Sequence, residues 1–163
     1  MIFLSRAQLK EIADAAEAAY PGECCGFIVG RPRGNADLEV TRLVASPNVS
    51  GEAVPEGARR DRFEVDPELR LKVQRELGDG PERIIGLYHS HPGHGAQPSA
   101  FDLESVWEPE FVWLITAVEE GQAVHTTAHV LDPEGRQFRE IGLRTTDWKP
   151  YPVRGPLPGK AGA

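Results

Sequence analysis

Apolar residues recur at Leu9, Ile12, Ala13, Ala16 and Ala19, the spacing of a helix with one buried face. Ser5 and Gln8 stand in capping-box relation ahead of them, and Pro21-Gly22 follows, so the pattern predicts a helix over about 6–19. From Cys24 to Val29 the chain is apolar and β-rich past Gly26, which reads as a buried strand. A turn over Arg31–Asp37 leads to a returning strand over Leu38–Ala45, and residues 46–62 read as an exposed loop. Phe63 and Val65 form a short extended piece, and Pro67 suits the first turn of a helix running to about Leu77, ended by Gly78 and Gly80. Arg83–His89 is dense enough in Ile84, Ile85, Leu87 and Tyr88 to be a central strand. A Pro/Gly/His loop over 92–98 comes next, then a short helix capped by Ser99 and reaching about Val106. Phe111–Val118, Ala123–Leu131 and Gln137–Leu143 alternate as successive antiparallel strands, the last two joined by Asp132-Pro133-Glu134-Gly135.

These elements describe a single mixed α/β (α+β) domain, with a central, mostly antiparallel sheet flanked by helices. The domain is expected over 1–147, with a Pro/Gly-rich tail over 148–163 that holds four prolines and three glycines. No G-x-G-x-x-G follows a strand and no phosphate-binding G-x-x-x-x-G-K-[ST] occurs, so a nucleotide fold is not expected.

Composition narrows the class. The 163 residues are 40% hydrophobic and 26% charged, a globular balance that can build a core without disulfides. The formal charge of -7 argues against non-specific binding to nucleic acid or an anionic membrane surface. The two cysteines, Cys24 and Cys25, are adjacent and poorly placed to bridge each other, and no secretory leader or membrane-spanning run is evident. A cytoplasmic setting is the expectation.

The stretch with candidate chemistry is His89-Ser90-His91-Pro92, followed by Ser99 and Asp102. Histidines two apart on an extended segment project to one side, and two neutral imidazoles with a carboxylate suit zinc while leaving a fourth position for water. The residues alone also admit a plainer reading. Two polar histidines can end a strand, and Ser99-x-x-Asp102 is itself a capping box.

The full string, H-S-H-P, six residues, S, two residues, D, resembles the signature of the JAMM/MPN-plus metalloproteases. Pro21-Gly22-Glu23-Cys24-Cys25-Gly26-Phe27 is similar to the element that places that family's upstream glutamate. The resemblance runs from the first helix to about residue 131 and implies an MPN/JAB (cytidine-deaminase-like) fold. It implies one Zn2+ held by His89, His91 and Asp102, with Glu23 as general base and acid and Ser99 as a donor to the oxyanion. The compact chain resembles the small bacterial members, which cleave after the C-terminal glycines of ubiquitin-like sulfur-carrier proteins and release cysteine or another small amine. The expected partner is therefore such a C-terminal tail, with Asn48, Arg62 and Phe63 as candidate tail contacts and a homodimer left open. Two alternatives stand beside this: a small-peptide or amino-acid amide hydrolase with the same metal chemistry, and a non-catalytic interaction domain. The zinc-deaminase pattern H-x-E with P-C-x-x-C is absent, as is H-E-x-x-H. Cys24 and Cys25 read as packing residues, His94 as a solvated loop residue, and His125 and His129 as structural or exposed.

Overall fold

The computed structural model describes residues 1–50 and 62–147. The elements run β1 (Ile2–Leu4), α1 (Arg6–Ala19), β2 (Cys25–Arg33), β3 (Asp37–Ser46), α2 (Pro67–Leu77), β4 (Arg83–Pro92), α3 (Ala100–Glu104), β5 (Val112–Glu119), β6 (Gln122–Leu131), β7 (Phe138–Ile141) and β8 (Leu143–Thr145). Most of the expected long loop, and the whole expected tail, lie outside the described residues.

The helices with strong end signals form where the pattern places them. The hydroxyl of Ser5 accepts from the Gln8 amide, and the Gln8 side chain accepts from the Ser5 amide, which completes the capping box of α1. Asp66 caps α2 through the Glu68 amide, and Pro67 occupies the first turn. α3 is one turn, shorter than the helix expected to Val106, and ends at Ser105.

Along the sheet the strands take the order β7-β6-β5-β4-β2-β3-β1-β8. β2 pairs antiparallel with both β3 and β4, whereas β4 and β5 run parallel. A parallel pair needs a crossover, and here residues 93–111 supply it, leaving from the carboxyl end of β4. That crossover carries α3 and both residues of the S-x-x-D pattern.

Alternation along β2 sends Ile28 to one face and Phe27 and Val29 to the other. The first face packs with Ile12 of α1, Ile2, Leu4, Tyr88 and Leu114, and the second with Val73 of α2, Phe63, Phe111 and Trp113. Each large aliphatic side chain buried this way stabilises by about 1.5–3 kcal/mol. Gly86 lets β4 and β5 approach closely: a Cβ there would lie 2.0 Å from the Val112 carbonyl oxygen.

Three further features depart from the sequence reading. β2 continues through Arg31–Arg33, pairing with the start of β3, so the turn shrinks to residues 34–36 with Gly34 at φ 67°. β1 has no counterpart among the expected elements. The expected last strand is divided at Gly142 into β7, which pairs with β6, and β8, which pairs with β1. One extended segment thus joins both margins of a strongly curled sheet, with the Ile2 amide donating to the Gly142 carbonyl between them.

Candidate metal centre

The site forms where β4 ends. His89 and His91 share one face of the strand, and Asp102 meets them from the first turn of α3. His89 Nε2 lies 2.9 Å from His91 Nε2 and 3.2 Å from Asp102 Oδ1, while Asp102 Oδ2 is 3.1 Å from His91 Nε2. All three residues are buried, and their ligand atoms lie within 4.8 Å of one another. Ligand atoms at about 2.0–2.1 Å from one tetrahedral ion stand roughly 3.3 Å apart, so the observed spacing suits a single small cation.

Proton placement agrees. His91 Nδ1 lies 3.1 Å from the Gly95 carbonyl, which can only accept, so the ring carries its proton there and turns the Nε2 lone pair toward the cluster. His89 is held by its rings rather than by such a bond. Phe63 stacks on it at 4.1 Å and Trp113 meets it edge-on at 5.6 Å, while its buried Nδ1 has no partner among the described residues. Burial lowers the His89 pKa, with the Asp102 hydrogen bond opposing, so the imidazole stays neutral as a ligand must. For Asp102, burial acts to raise the pKa, but its close contacts with the His89 and His91 rings and the hydrogen bond from the Ser99 amide outweigh it and hold the carboxyl far below its usual range.

The S-x-x-D pattern serves as both cap and site. The Ser99 amide donates to Asp102 Oδ2 at 2.9 Å, and the Asp102 amide donates to Ser99 Oγ at 3.0 Å. The cap therefore locks the carboxylate and leaves the Ser99 hydroxyl proton free to donate elsewhere, at an exposed position. Glu23 stands two residues ahead of β2, buried, with Oε1 4.0 Å from His91 Nε2. Ser90, between the two histidines, accepts from the Cys24 amide at 2.8 Å and donates its own amide to the Cys24 carbonyl at 3.2 Å. This stitch sets the Glu23 segment against β4. Sequence reasoning used Ser90 only as part of a motif, because its partner lies 66 positions away.

The three candidate tail contacts do different things. Asn48 donates to the Glu23 and Arg62 carbonyls and accepts from the Ser50 and Glu64 amides, anchoring the Glu23 segment to the base of the long loop. Phe63 is buried beneath His89, and the Arg62 guanidinium lies over the Phe101 ring at 4.6 Å. His94 and His125 are exposed and His129 is buried. Trp113 is core, whereas Trp107 is 87% exposed just beyond α3.

A family profile for prokaryotic homologs of the JAB domain matches residues 5–129, more than half the chain. The chain belongs to that family. A desampylase of Haloferax volcanii is 27% identical over 135 residues, covering 83% of this chain and 86% of that protein. A CysO-cysteine peptidase of Mycobacterium tuberculosis is 30% identical over 105 residues, 64% of this chain and 65% of the peptidase. Protein DSY2949 of Desulfitobacterium hafniense, solved in solution, superposes with a TM-score of 0.71 at 28% identity, over 89% of this chain and 92% of that one. The fold is accordingly the MPN/JAB fold, and the His-His-Asp cluster is consistent with the metal-binding triad characteristic of JAMM-type metalloproteases.

Proposed function

We propose that this protein is a zinc-dependent amide hydrolase that cleaves after the C-terminal Gly-Gly of a ubiquitin-like or sulfur-carrier protein, releasing cysteine or another small amine. The observation that carries the reading is the convergence of His89, His91 and Asp102 with the Glu23 carboxylate beside them. The substrate class is supported by relatives named as a desampylase and a CysO-cysteine peptidase.

Zinc bound by the triad supplies Lewis acidity, enough to acidify a water toward neutrality and polarise a carbonyl. The chain's own groups do the remainder. Glu23 accepts the proton of the attacking water and returns it to the nitrogen of the leaving amine, so that amide and water become carboxylate and amine. The Ser99 hydroxyl donates to the oxyanion that develops on the scissile carbonyl. A diglycine tail presents backbone and no side chains, which suits a narrow approach, and Arg62, laid over Phe101, is the candidate contact for it. Asn48 and Phe63 contribute by holding Glu23 and His89. We assign the catalytic domain to 1–147 and leave 148–163 outside it.

Incubating the zinc-loaded protein with a Gly-Gly carrier joined by an amide to cysteine, with and without a chelator, tests this by product mass. Zinc-dependent release of carrier and cysteine is expected. An intact adduct with a fully loaded site would overturn it. Turnover of free dipeptides instead would indicate a small-amide hydrolase, and loading with no turnover of either would indicate an interaction domain.

A further inference from the structure

We infer that His129 and Thr127 of β6 are positioning residues for the metal centre, acting through the crossover loop on the ligand His91. The inference rests on the metal-centre reading but concerns side chains well outside the ligand set. Thr127 and His129 stand two apart on β6 and share a face. Their cross-strand partners on β5 are Ile115 and Trp113, and in the next strand His89 and His91 pair with Ile115 and Ala117. The loop leaving β4 folds back over this same face. The Gly93 amide donates to the Val118 carbonyl at 2.8 Å, and Ala96 is buried against Ile115 and Ala117.

There the Ala96 carbonyl accepts from Thr127 Oγ1 at 2.5 Å and from His129 Nε2 at 3.2 Å, with those two side-chain atoms 2.8 Å apart. A carbonyl only accepts, so His129 carries its proton on Nε2. The preceding carbonyl, of Gly95, is the one that orients His91 through Nδ1 at 3.1 Å. Two successive peptide planes therefore connect β6 to the ligand, with only the two soft torsions of Ala96 between them. Gly93 and Gly95 give this loop little stiffness of its own, and Gly93 sits at φ 73°. Its conformation is set from outside, by the methyl of Ala96 in its apolar seat and by the two donors on its carbonyl. Releasing the Ala96 carbonyl frees the Gly95 carbonyl to turn away from His91, and the ligand loses the bond that fixes its ring and tautomer.

The test uses the full chain with His129→Ala, His129→Gln and Thr127→Val. Zinc affinity is read by competition with a chromophoric chelator, the ligand field by the visible spectrum of the cobalt-loaded protein, and folding by thermal denaturation. His129→Ala and Thr127→Val should each weaken zinc binding about 10-fold or more and alter the cobalt spectrum. His129→Gln, whose amide N–H can reach the same carbonyl, should recover most of the affinity. Thr127→Val removes a hydroxyl at nearly constant volume and decides the matter if His129→Ala does not fold. Variants that lose thermal stability yet keep zinc affinity within about twofold and the wild-type cobalt spectrum would overturn the inference. So would a His129→Gln protein as weak as His129→Ala. A wild-type chain that takes up no zinc would instead overturn the metal-centre reading itself.

Discussion

Glu23 and its neighbours Cys24 and Cys25 offer two nucleophile-generating chemistries within three residues, and their surroundings decide between them. A thiol attacks as thiolate, and burial pushes the Cys25 thiol up to about 12 and raises that of Cys24 as well. Neither is poised to attack at neutral pH. The carboxylate beside the ligand set is placed to act, and Glu23→Gln keeps its shape while removing its ability to take a proton. Steady-state assays should show kcat reduced by about 10²–10⁴-fold, with zinc content by elemental analysis unchanged. Wild-type-like turnover would remove Glu23 from the reaction. The cysteines carry a separate prediction. Cys25 ionises at its ordinary value of 9.0 when unfolded but only near 12 when folded, so the unfolded state releases its proton first as pH rises. Its contribution is therefore complete below pH 9.0 and is lost as pH climbs toward 12, at up to about 1.4 kcal/mol per pH unit. Urea titrations between about pH 8 and 11 should show a shallower alkaline decline in Cys25→Ala than in the wild type, whatever the offset between the two at neutral pH. Parallel curves would mean that the thiol ionises alike in the folded and unfolded states.

At the scale of elements, β4 is the piece on which the others depend, since it joins β2 on one side and β5 on the other and ends in the two histidines of the candidate metal centre. Gly86 is what allows β5 so close. A methyl there would meet the Val112 backbone at 2.0 Å, with no flexible side chain to yield, so Gly86→Ala should cost about 3 kcal/mol or more and separate His89 and His91 from the crossover. Chemical denaturation checks the stability, and zinc binding of whatever remains folded checks the link to the site. Not all of this architecture is legible in the sequence. α1 and α2 are, because their start signals are local: Ser5 with Gln8 in a capping box, and Pro67 in a first turn. The ligands are visible as a pattern, and the family resemblance selects Glu23 from among the acidic residues. The hidden parts depend on contacts distant in sequence. Ser90 needs Cys24, Ala96 needs Thr127 and His129, and β1 and β8 are three-residue strands with no period of their own that exist through pairing. The run Arg31–Asp37 reads as a turn from its Pro, Gly and Asn, yet pairing with β3 extends the strand through Pro32 to Arg33.

For the whole molecule, the segment from Phe138 to Thr145 is the closure. It supplies the partner of β6 at one margin and of β1 at the other, so neither margin of the curled sheet ends in a long open edge. It also reaches the site by packing: Phe138 lies 5.3 Å from Trp113, whose ring abuts His89 at 5.6 Å. Two truncations separate the closing segment from the residues beyond it. A chain ending at residue 147 retains every described strand and should unfold cooperatively with stability within about 1 kcal/mol of the full chain, keeping its zinc affinity. A chain ending at residue 137 loses both β7 and β8, unpairs β1 from one neighbour, and removes the support behind Trp113. It should show a lower urea midpoint and a broader transition, and bind zinc more weakly than the longer truncation. Neither chain loses a ligand or a catalytic candidate, so weaker zinc binding can come only through the sheet. If the shorter chain unfolds as sharply as the longer one and binds zinc equally well, the closing segment is an ornament on a sheet that is complete without it, and the metal centre depends on β2, β4, β5 and their crossover alone.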